Sequence, residues 1–423
     1  MPLLSDQDNE TCIFCGKDLK SFPTMHFVQS GFPNLGVCFQ CVEKIHGLIQ
    51  AHLENSEDKS VKKHSDIKQF LSSLKMYKPK TIKKMLDDYV IGQEEAKISL
   101  SVAIYNHYKK IINNMNNKDD FLEKSNILMI GPSASGKTLL AKTIAKILGV
   151  PFCICDATTY TEAGYVGESV ENCISKLLQV ADYDIEKTQV GIIFIDEVDK
   201  ITKKLSGNGS TKDPTGEGVQ QGLLKIIEGS VVNVPAKPGK MTPDAEFIKI
   251  DTKNILFIFG GAFVGLREEK ERSLQGIGQV GFGKMPVEQE DTSKKTLTYD
   301  PEDLIKYGFI PEFIGRIPII VTLDKLTEDQ FSKILLEPKD SIINQYTKLL
   351  KLDNIDLKFD HNAVKEIARR AYEKDIGARG LRSIIEKVMK QYMYDLPSSN
   401  KKKLLITKKI IDEKMDPSPA PKA

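Results

Sequence analysis

Long apolar runs are missing from this chain of 423 residues. None approaches the roughly 18 to 20 consecutive apolar residues that a helix needs to cross a bilayer, so we expect no membrane partner. The N-terminus, MPLLSDQDNE, lacks a basic stretch followed by an apolar one, which is the pattern of a secretion signal. The sequence therefore predicts a cytoplasmic protein in a reducing compartment.

An excess of one charge is also missing. Sixty Lys and Arg residues against 58 Asp and Glu residues leave a formal net charge of +2, so global charge gives no argument for a nucleic-acid partner. The hydrophobic share of 40% and the charged share of 28% are those of an ordinary globular protein. The length allows two or three domains, and the sequence contains no internal repeat.

Cysteine is scarce, and its seven residues fall into two groups. Residues 1–53 contain two C-x-x-C pairs, formed by Cys12, Cys15, Cys38 and Cys41. So short a segment buries little apolar surface, and paired thiolates at this spacing suit tetrahedral Zn²⁺, so we predict a zinc-binding domain. A pair of disulfides is the alternative that a secreted protein would favour. The other three, Cys153, Cys155 and Cys173, are expected to be small buried hydrophobic residues.

Residues 54–80 read as a lysine-rich linker. Between Lys59 and Lys84 there are nine lysines and a single acid, Asp66. A solvated linker is the favoured interpretation. A nucleic-acid contact is the alternative, although Phe70 and Tyr77 are the only aromatic residues available for stacking.

Residues 81–323 alternate between strand and helix patterns, which predicts an α/β domain with a parallel sheet flanked by helices. The candidate strands are short continuous apolar runs, so we expect both of their faces to be covered: 127–130, 152–156, 191–195, 255–259 and 317–321. Residues 324–412 predict a small, mainly helical domain. One of its helix faces contains Ala363, Val364, Ile367, Ala368 and Ala371, and another contains Leu381, Ile384, Ile385, Val388 and Tyr392. Residues 413–423 are predicted to be a disordered tail.

The segment GPSASGKT fits the phosphate-binding pattern G-x-x-x-x-G-K-[ST] and lies between a predicted strand and a predicted helix. Backbone N–H groups of such a loop surround phosphate oxygens at a helix N-terminus. The lysine reaches the β- and γ-phosphates, and the threonine hydroxyl is a ligand for Mg²⁺. The predicted ATP-binding residues are Gly131, Pro132, Ser133, Ala134, Ser135, Gly136, Lys137, Thr138 and Leu139.

Two adjacent acids, Asp196 and Glu197, end the apolar run GIIFI. Carboxylates at the end of a buried strand are costly without a cation, so Asp196 is predicted to hold Mg²⁺. Glu197 is predicted to polarise a water for attack on the γ-phosphate. A strand that simply leaves the core at polar residues is the alternative, but the phosphate-binding loop upstream favours ATP hydrolysis.

Five further segments carry a family resemblance: YVIGQ at 89–93, GYVG at 164–167, VGFG at 280–283, IPEFIGR at 310–316 and GARGLR at 377–382. Together with the two nucleotide motifs they resemble the AAA+ ATPases. Nearly the whole chain, from the cysteine pairs to about residue 410, resembles the ClpX family of protein unfoldases. This resemblance implies a homo-hexameric ring that uses ATP to unfold tagged proteins, with or without adaptors, and to pass them to the ClpP peptidase.

The resemblance also assigns roles to individual residues. Val90 and Ile91 correspond to the segment that packs around adenine, and Tyr165 with Val166 to the pore loop that grips a polypeptide. Arg316 corresponds to an arginine finger that acts on a neighbouring subunit's nucleotide, and Arg379 to the sensor-2 arginine that reaches the γ-phosphate; a surface ion pair is the alternative for both. The loop that docks on ClpP corresponds to Val280, Gly281 and Phe282.

The chain departs from the family pattern at three places. Ala134 stands where the family usually has Gly, at a variable position of the motif, so we expect a small effect at most. Lys240-Met241-Thr242 replaces a basic triplet at the pore entrance, and the end of the strand before Gly260 offers no polar sensor-1 residue. Two other functions are the alternatives: an AAA+ motor that remodels nucleic acid, and an ATP-dependent chaperone that works without a protease.

Overall fold

The structure is a computed structural model, and it describes residues 15, 28–29, 36–37, 41–47, 76–116, 124–162, 165, 167–203, 216–235, 247–274, 297–374, 377–399 and 401–415. The chain divides into two compact units, residues 1–70 and 71–423. In the first unit, strands Val28–Gln29 and Gly36–Val37 form an antiparallel pair, and residues 41–47 form a helix. Cys15 and Cys41 belong to this unit, whereas Cys12 and Cys38 lie outside the described residues.

The second unit alternates helices and strands, as the sequence predicts. Its elements in chain order are α1 (Pro79–Asp87), α2 (Glu94–Asn116), β1 (Ile127–Ile130), α3 (Lys137–Leu148), β2 (Phe152–Asp156), α4 (Asn172–Val180), α5 (Ile185–Gln189), β3 (Ile192–Asp196), α6 (Glu217–Glu228), β4 (Val231–Pro235), β5 (Phe247–Asp251), β6 (Leu256–Gly261), α7 (Val264–Leu274), α8 (Pro301–Tyr307), α9 (Pro311–Gly315), β7 (Ile319–Thr322), α10 (Glu328–Leu336), α11 (Ile342–Leu352), β8 (Asp356–Phe359), α12 (His361–Glu373), α13 (Ala378–Asp395), β9 (Lys403–Ile406) and α14 (Lys408–Met415). None of the helices in the described ranges has the length and apolarity that a bilayer crossing requires.

Five parallel strands form the central sheet in the order β2-β3-β6-β1-β7. The three inner strands are buried along nearly their whole length because helices cover both faces. The prediction of two covered faces is wrong for β2, in which Ile154 is 48% exposed: this strand lies at the sheet edge, and its side chains alternate between buried and exposed. Since all strands run the same way, their carboxyl ends align, with Ile130 opposite both Gly261 and Thr322.

Buried residues between Leu326 and Ile411 form a hydrophobic cluster that is separate from the one around the central sheet. The predicted apolar face of α12 is fully buried there, and that of α13 is buried except for the partly exposed Tyr392. The parallel pair β8–β9 was not predicted. The predicted tail began too early, because α14 continues to Met415; residues 416–423 lie outside the described residues. At the other end, α1 begins at Pro79, inside the predicted linker, since proline suits the first turn of a helix.

Candidate nucleotide site

The phosphate-binding loop connects β1 to α3 at the carboxyl edge of the sheet. Its backbone adopts positive φ at Gly136 (+107°), directly before the helix, and at Ala134 (+57°). Lys137 is 8% exposed, and its Nζ donates to the carbonyls of Gly131 (2.7 Å) and Pro132 (2.9 Å). Burial lowers the pKa of Lys137, and the charge of Arg379 lowers it further, whereas Asp196 and Asp199 oppose this change. A phosphate group would oppose this lowering because its negative charge stabilises the charged form of the lysine, so the site fits an anion.

The two predicted acids lie beside the loop, at the end of β3. Thr138 Oγ1 donates to Asp196 Oδ2 over 3.2 Å, so the two predicted Mg²⁺ ligands are adjacent. The other carboxylate oxygen, Asp196 Oδ1, accepts the backbone N–H of Glu197 at 3.0 Å. Glu197 is exposed and has φ of +58°, a strained conformation for a residue with a side chain, of the kind found at functional sites. Hydroxyl and carboxylate oxygens are the ligands that Mg²⁺ prefers, so the pair fits this cation.

A third acid, Asp199, escaped the sequence analysis. It is 5% exposed, and its Oδ1 accepts the backbone N–H of Ala262 at 3.2 Å, directly after β6. A Cβ on Gly261 would lie 2.9 Å from the same oxygen, and one on Gly260 would lie 2.6 Å from the Phe194 ring. β6 therefore ends in two glycines, because Phe194 of β3 and Asp199 leave no room for a side chain at these two positions. This crowding accounts for the missing polar residue at the predicted sensor-1 position.

A cavity of about 360 Å³ lies between the phosphate-binding loop and the helical part of the chain. Its lining comes from the loop, from α7 and from the helical part: Pro132, Ser133, Ala134, Ser135, Ala262, Val264, Arg267, Glu268, Glu271, Lys325, Leu326, Phe331, Tyr372 and Gly377. Val90 (buried) and Ile91 (half-buried) lie in the turn between α1 and α2 and do not line this cavity.

The two predicted arginines lie in different places. Arg379 is the second residue of α13 and lies two positions after Gly377, where an added Cβ would lie 2.6 Å from the Ala134 Cβ, so the start of this helix lies beside the phosphate loop. Arg316 lies near the amino-terminal end of β1, whereas the phosphate loop follows the carboxyl end. Its carbonyl accepts a hydrogen bond from Asn126 Nδ2 (2.8 Å), and Asn126 directly precedes β1. Four residues of strand, about 13 Å, separate Asn126 from the loop. The Arg316 side chain donates from Nε to Glu228 Oε1 (2.9 Å) in a half-exposed ion pair.

Tyr165 is 54% exposed on a loop whose ends are fixed. Thr161 donates its backbone N–H to the Glu168 carbonyl, and Glu168 donates to that of Thr159, both at 3.1 Å. The Glu168 carboxylate also accepts from Lys176 at 2.9 Å. Tyr165 is therefore accessible, as a residue that grips a polypeptide must be. Val166, the docking segment 280–282 and the pore-entrance triplet 240–242 lie outside the described residues.

Three more residues escaped the sequence analysis: Gln93, which contacts the phosphate loop, and Asn126 and Glu228, which are partners of Arg316. Gln93 and Asn126 are buried polar residues whose side chains form hydrogen bonds with residues more than 40 positions away in the sequence. Glu228 is a common surface acid at the end of a helix. Gln93 lies two positions after the apolar pair Val90-Ile91 and ends the segment YVIGQ, which was the only available signal. A local pattern does not reveal such distant partners.

Comparison with known proteins agrees with this architecture. Residues 122–320 match the model of the AAA domain (Cdc48 subfamily), and residues 326–410 match that of the C-terminal D2-small domain of ClpB protein. The chain is 48% identical over 406 residues to a protein of Treponema denticola named ATP-dependent Clp protease ATP-binding subunit ClpX. The match covers 95% of this chain and 93% of that relative. The chain is therefore an ATP-hydrolysing member of the ClpX family of AAA+ ATPases.

Proposed function

We propose that this chain forms a homo-hexameric ring that unfolds tagged proteins, with adaptors where these are needed, and passes them to the ClpP peptidase. The observation that carries the proposal is Tyr165, an exposed aromatic residue on a loop fixed at both ends. A large aromatic side chain held in solvent by a closed loop is suited to contact a polypeptide. The similarity to a Clp protease subunit over 95% of the chain supports the same conclusion.

The nucleotide chemistry follows from the loop and the two acids. Lys137 and the loop N–H groups would neutralise phosphate charge, and Thr138 with Asp196 would hold Mg²⁺, which supplies further charge neutralisation when bound. Glu197 would accept a proton from the attacking water as the bond between the γ-phosphorus and the β–γ bridging oxygen breaks, giving ADP and inorganic phosphate. Val90 and Ile91 would offer apolar contact to the base, and Arg379 would reach the γ-phosphate from the helical domain.

Arg316 supports a ring. It lies at the end of β1 that is remote from the loop of its own chain, so it can serve a phosphate only in a neighbouring subunit. We propose that it does so as an arginine finger, which requires an oligomer. We also propose that Val280, Gly281 and Phe282 dock on ClpP, and that Val166 assists Tyr165.

The domain limits proposed for this function are 1–53, 79–323 and 324–415, with a linker at 54–78. In the first of these we propose that Cys12, Cys15, Cys38 and Cys41 hold Zn²⁺, because four thiolates are the donor set that a structural zinc site uses. The Cys153, Cys155 and Cys173 side chains are thiols without a disulfide, which supports a reducing, cytoplasmic location.

The test is degradation of a stable tagged substrate by the purified chain with ATP and ClpP. We expect degradation by the unmodified chain and loss of it in Tyr165→Ala, with ATP turnover retained. Tyr394→Ala is the matched control, because Tyr394 is also highly exposed but belongs to α13. Normal degradation by Tyr165→Ala would contradict the pore-loop role. Stimulation of ATP turnover by DNA but not by unfolded polypeptide would favour the nucleic-acid alternative instead.

A further inference from the structure

Gln93 connects three separate parts of the second unit. It follows Gly92 in the turn before α2, and both residues have positive φ, +70° and +60°. A residue with a side chain costs roughly 1–2 kcal/mol in this conformation, so the surrounding structure must hold it there. The Gln93 side chain is 7% exposed and makes hydrogen bonds through both of its polar atoms.

The first two hydrogen bonds hold the connector between the large α/β part and the helical part. Gln93 Nε2 donates to the Asp324 carbonyl, and Gln93 Oε1 accepts the Asp324 N–H, both at 2.9 Å. Asp324 lies two residues after the end of β7 and four residues before α10 begins. The amide of Gln93 therefore pairs with the connector as a neighbouring strand would.

The third hydrogen bond reaches the phosphate-binding loop. Gln93 Nε2 also donates to the Ser135 carbonyl at 3.3 Å. In a planar trans peptide the carbonyl and the following N–H point in opposite directions. A side chain that holds the Ser135 carbonyl from behind thus orients the Gly136 N–H, which belongs to the phosphate cradle at the start of α3.

Two neighbours of Gln93 are attached to the helical part as well. A Cβ on Gly92 would collide with the Gln330 amide in the first turn of α10, so the turn and this helix touch. Asp88 accepts both the backbone N–H of Lys339 (3.0 Å) and its ammonium (2.6 Å). The turn that contains Gln93 is therefore attached to the helical part, and a displacement of that part would displace the turn.

We propose that Gln93 is a positioning residue that couples nucleotide binding at Ser135–Gly136 to the connector at Asp324. A bound nucleotide holds the Ser135–Gly136 peptide in place. The Ser135 carbonyl then holds the side-chain amide of Gln93, and this amide keeps its hydrogen bonds to Asp324 closed. The inference rests on the proposed nucleotide site, and it deepens that proposal by adding a link from the phosphates to the domain junction.

Two substitutions test the proposal in the full chain. Gln93→Met keeps the approximate shape and removes all three hydrogen bonds, whereas Gln93→Glu keeps only the acceptance from the Asp324 N–H. We expect both to raise the KM for ATP about tenfold, the factor that a lost hydrogen bond of this kind produces, while kcat changes less than about threefold. Acidification should partly restore the KM of Gln93→Glu, because protonation of the introduced carboxyl returns one donor.

Gln220 provides a matched control. It is fully buried on α6, its Nε2 donates to the carbonyls of Ile201 (2.8 Å) and Gly308 (3.4 Å), and its Oε1 accepts the Ile310 N–H (2.9 Å). The pattern of two donations and one acceptance is the same as for Gln93, but none of these partners belongs to the phosphate loop. Gln220→Glu should therefore lower the melting temperature as much as Gln93→Glu does, with the KM for ATP within about twofold of the unmodified value.

Hydrogen exchange at the Asp324 backbone amide, measured with and without ADP, tests the coupling itself. This measurement requires nucleotide binding but no hydrolysis. ADP should slow this exchange in the unmodified chain and in Gln220→Glu, and should leave it unchanged in Gln93→Met. An unchanged KM together with normal ADP-dependent protection in both Gln93 variants would overturn the proposal. That outcome is distinct from failure of the proposed function, which would appear as absent ATP turnover or absent unfolding in the unmodified chain.

Discussion

Ala134 and Gly377 lie so close that a Cβ added to Gly377 would be 2.6 Å from the Ala134 Cβ. Ala134 is at the tip of the phosphate-binding loop, and Gly377 precedes the helix that contains Arg379. Both residues have positive φ, +57° and +69°. Ala134 is thus more than a neutral departure from the family pattern. The residue has a costly backbone conformation, and its methyl group lies in the contact between the two parts of the site.

Gly377→Ala should push the start of α13, which contains Arg379, away from the phosphate loop and lower ATP turnover about tenfold or more. Gly149→Ala is the control, since Gly149 has a similar φ of +72° but has open space where a Cβ would lie. Both variants should lose roughly 1–2 kcal/mol of stability, whereas only Gly377→Ala should lose turnover. Adding Ala134→Gly to Gly377→Ala removes the colliding methyl group and should restore part of the turnover. No recovery in this double variant would contradict the steric explanation.

Glu197→Gln should bind ATP as the unmodified chain does and should hydrolyse it at least about a hundredfold more slowly. The substitution leaves the backbone N–H of Glu197, which donates to Asp196, unchanged, so the proposed Mg²⁺ ligands keep their arrangement. An amide cannot accept the proton of the attacking water, and general-base catalysis is worth about 10² to 10⁴ in rate. Fluorescent-nucleotide binding and phosphate release measure the two steps. Glu95→Gln, an exposed acid on α2, is the control and should behave normally.

Mixed rings should show whether Arg316 acts between subunits. Arg316→Ala chains and Glu197→Gln chains should each lack turnover. When they are mixed, a site with Glu197 intact can lie beside a subunit with Arg316 intact, so part of the turnover should return. If Arg316 served its own chain, every site would remain defective, and mixing would restore nothing. Steady-state phosphate release over a range of mixing ratios distinguishes the two results.

His107 should make the protein less stable as the pH falls. Burial on α2, with the nearby Lys124 charge, lowers its pKa from the ordinary 6.5 to about 3, while a hydrogen bond to the Asn254 carbonyl (3.1 Å) opposes this. Between these two values the unfolded chain takes up a proton that the folded chain does not, so stability falls with decreasing pH by up to about 1.4 kcal/mol per unit. His107→Gln keeps a donor for Asn254 and should show a shallower decline in thermal unfolding between pH 6.5 and 5.

The sequence alone sufficed for those features that depend on neighbouring residues. The phosphate loop, the acids Asp196 and Glu197 and all five sheet strands follow from short patterns of glycine, charge and apolar runs, and the structure contains them within two residues of the predicted limits. The motifs also identified the family, because several of them occur together at the correct spacing. Periodicity likewise gave the buried face of α12.

Tertiary structure decided the features that join distant parts of the chain. Gln93 and Asp324 are 231 positions apart, and Arg316 and Asn126 are 190 apart, so no local pattern reveals these pairs. The exposure of β2 depends on its place at the sheet edge, which is set by strand order and not by its own residues. The sequence by itself determined which residues are proposed to bind and hydrolyse ATP, because that chemistry needs particular side chains at fixed spacing. Only the folded chain decided that the start of the helix with Arg379 lies beside its own phosphate loop and that Arg316 lies far from it, because the direction of parallel strands places the two ends of β1 at opposite ends of the sheet.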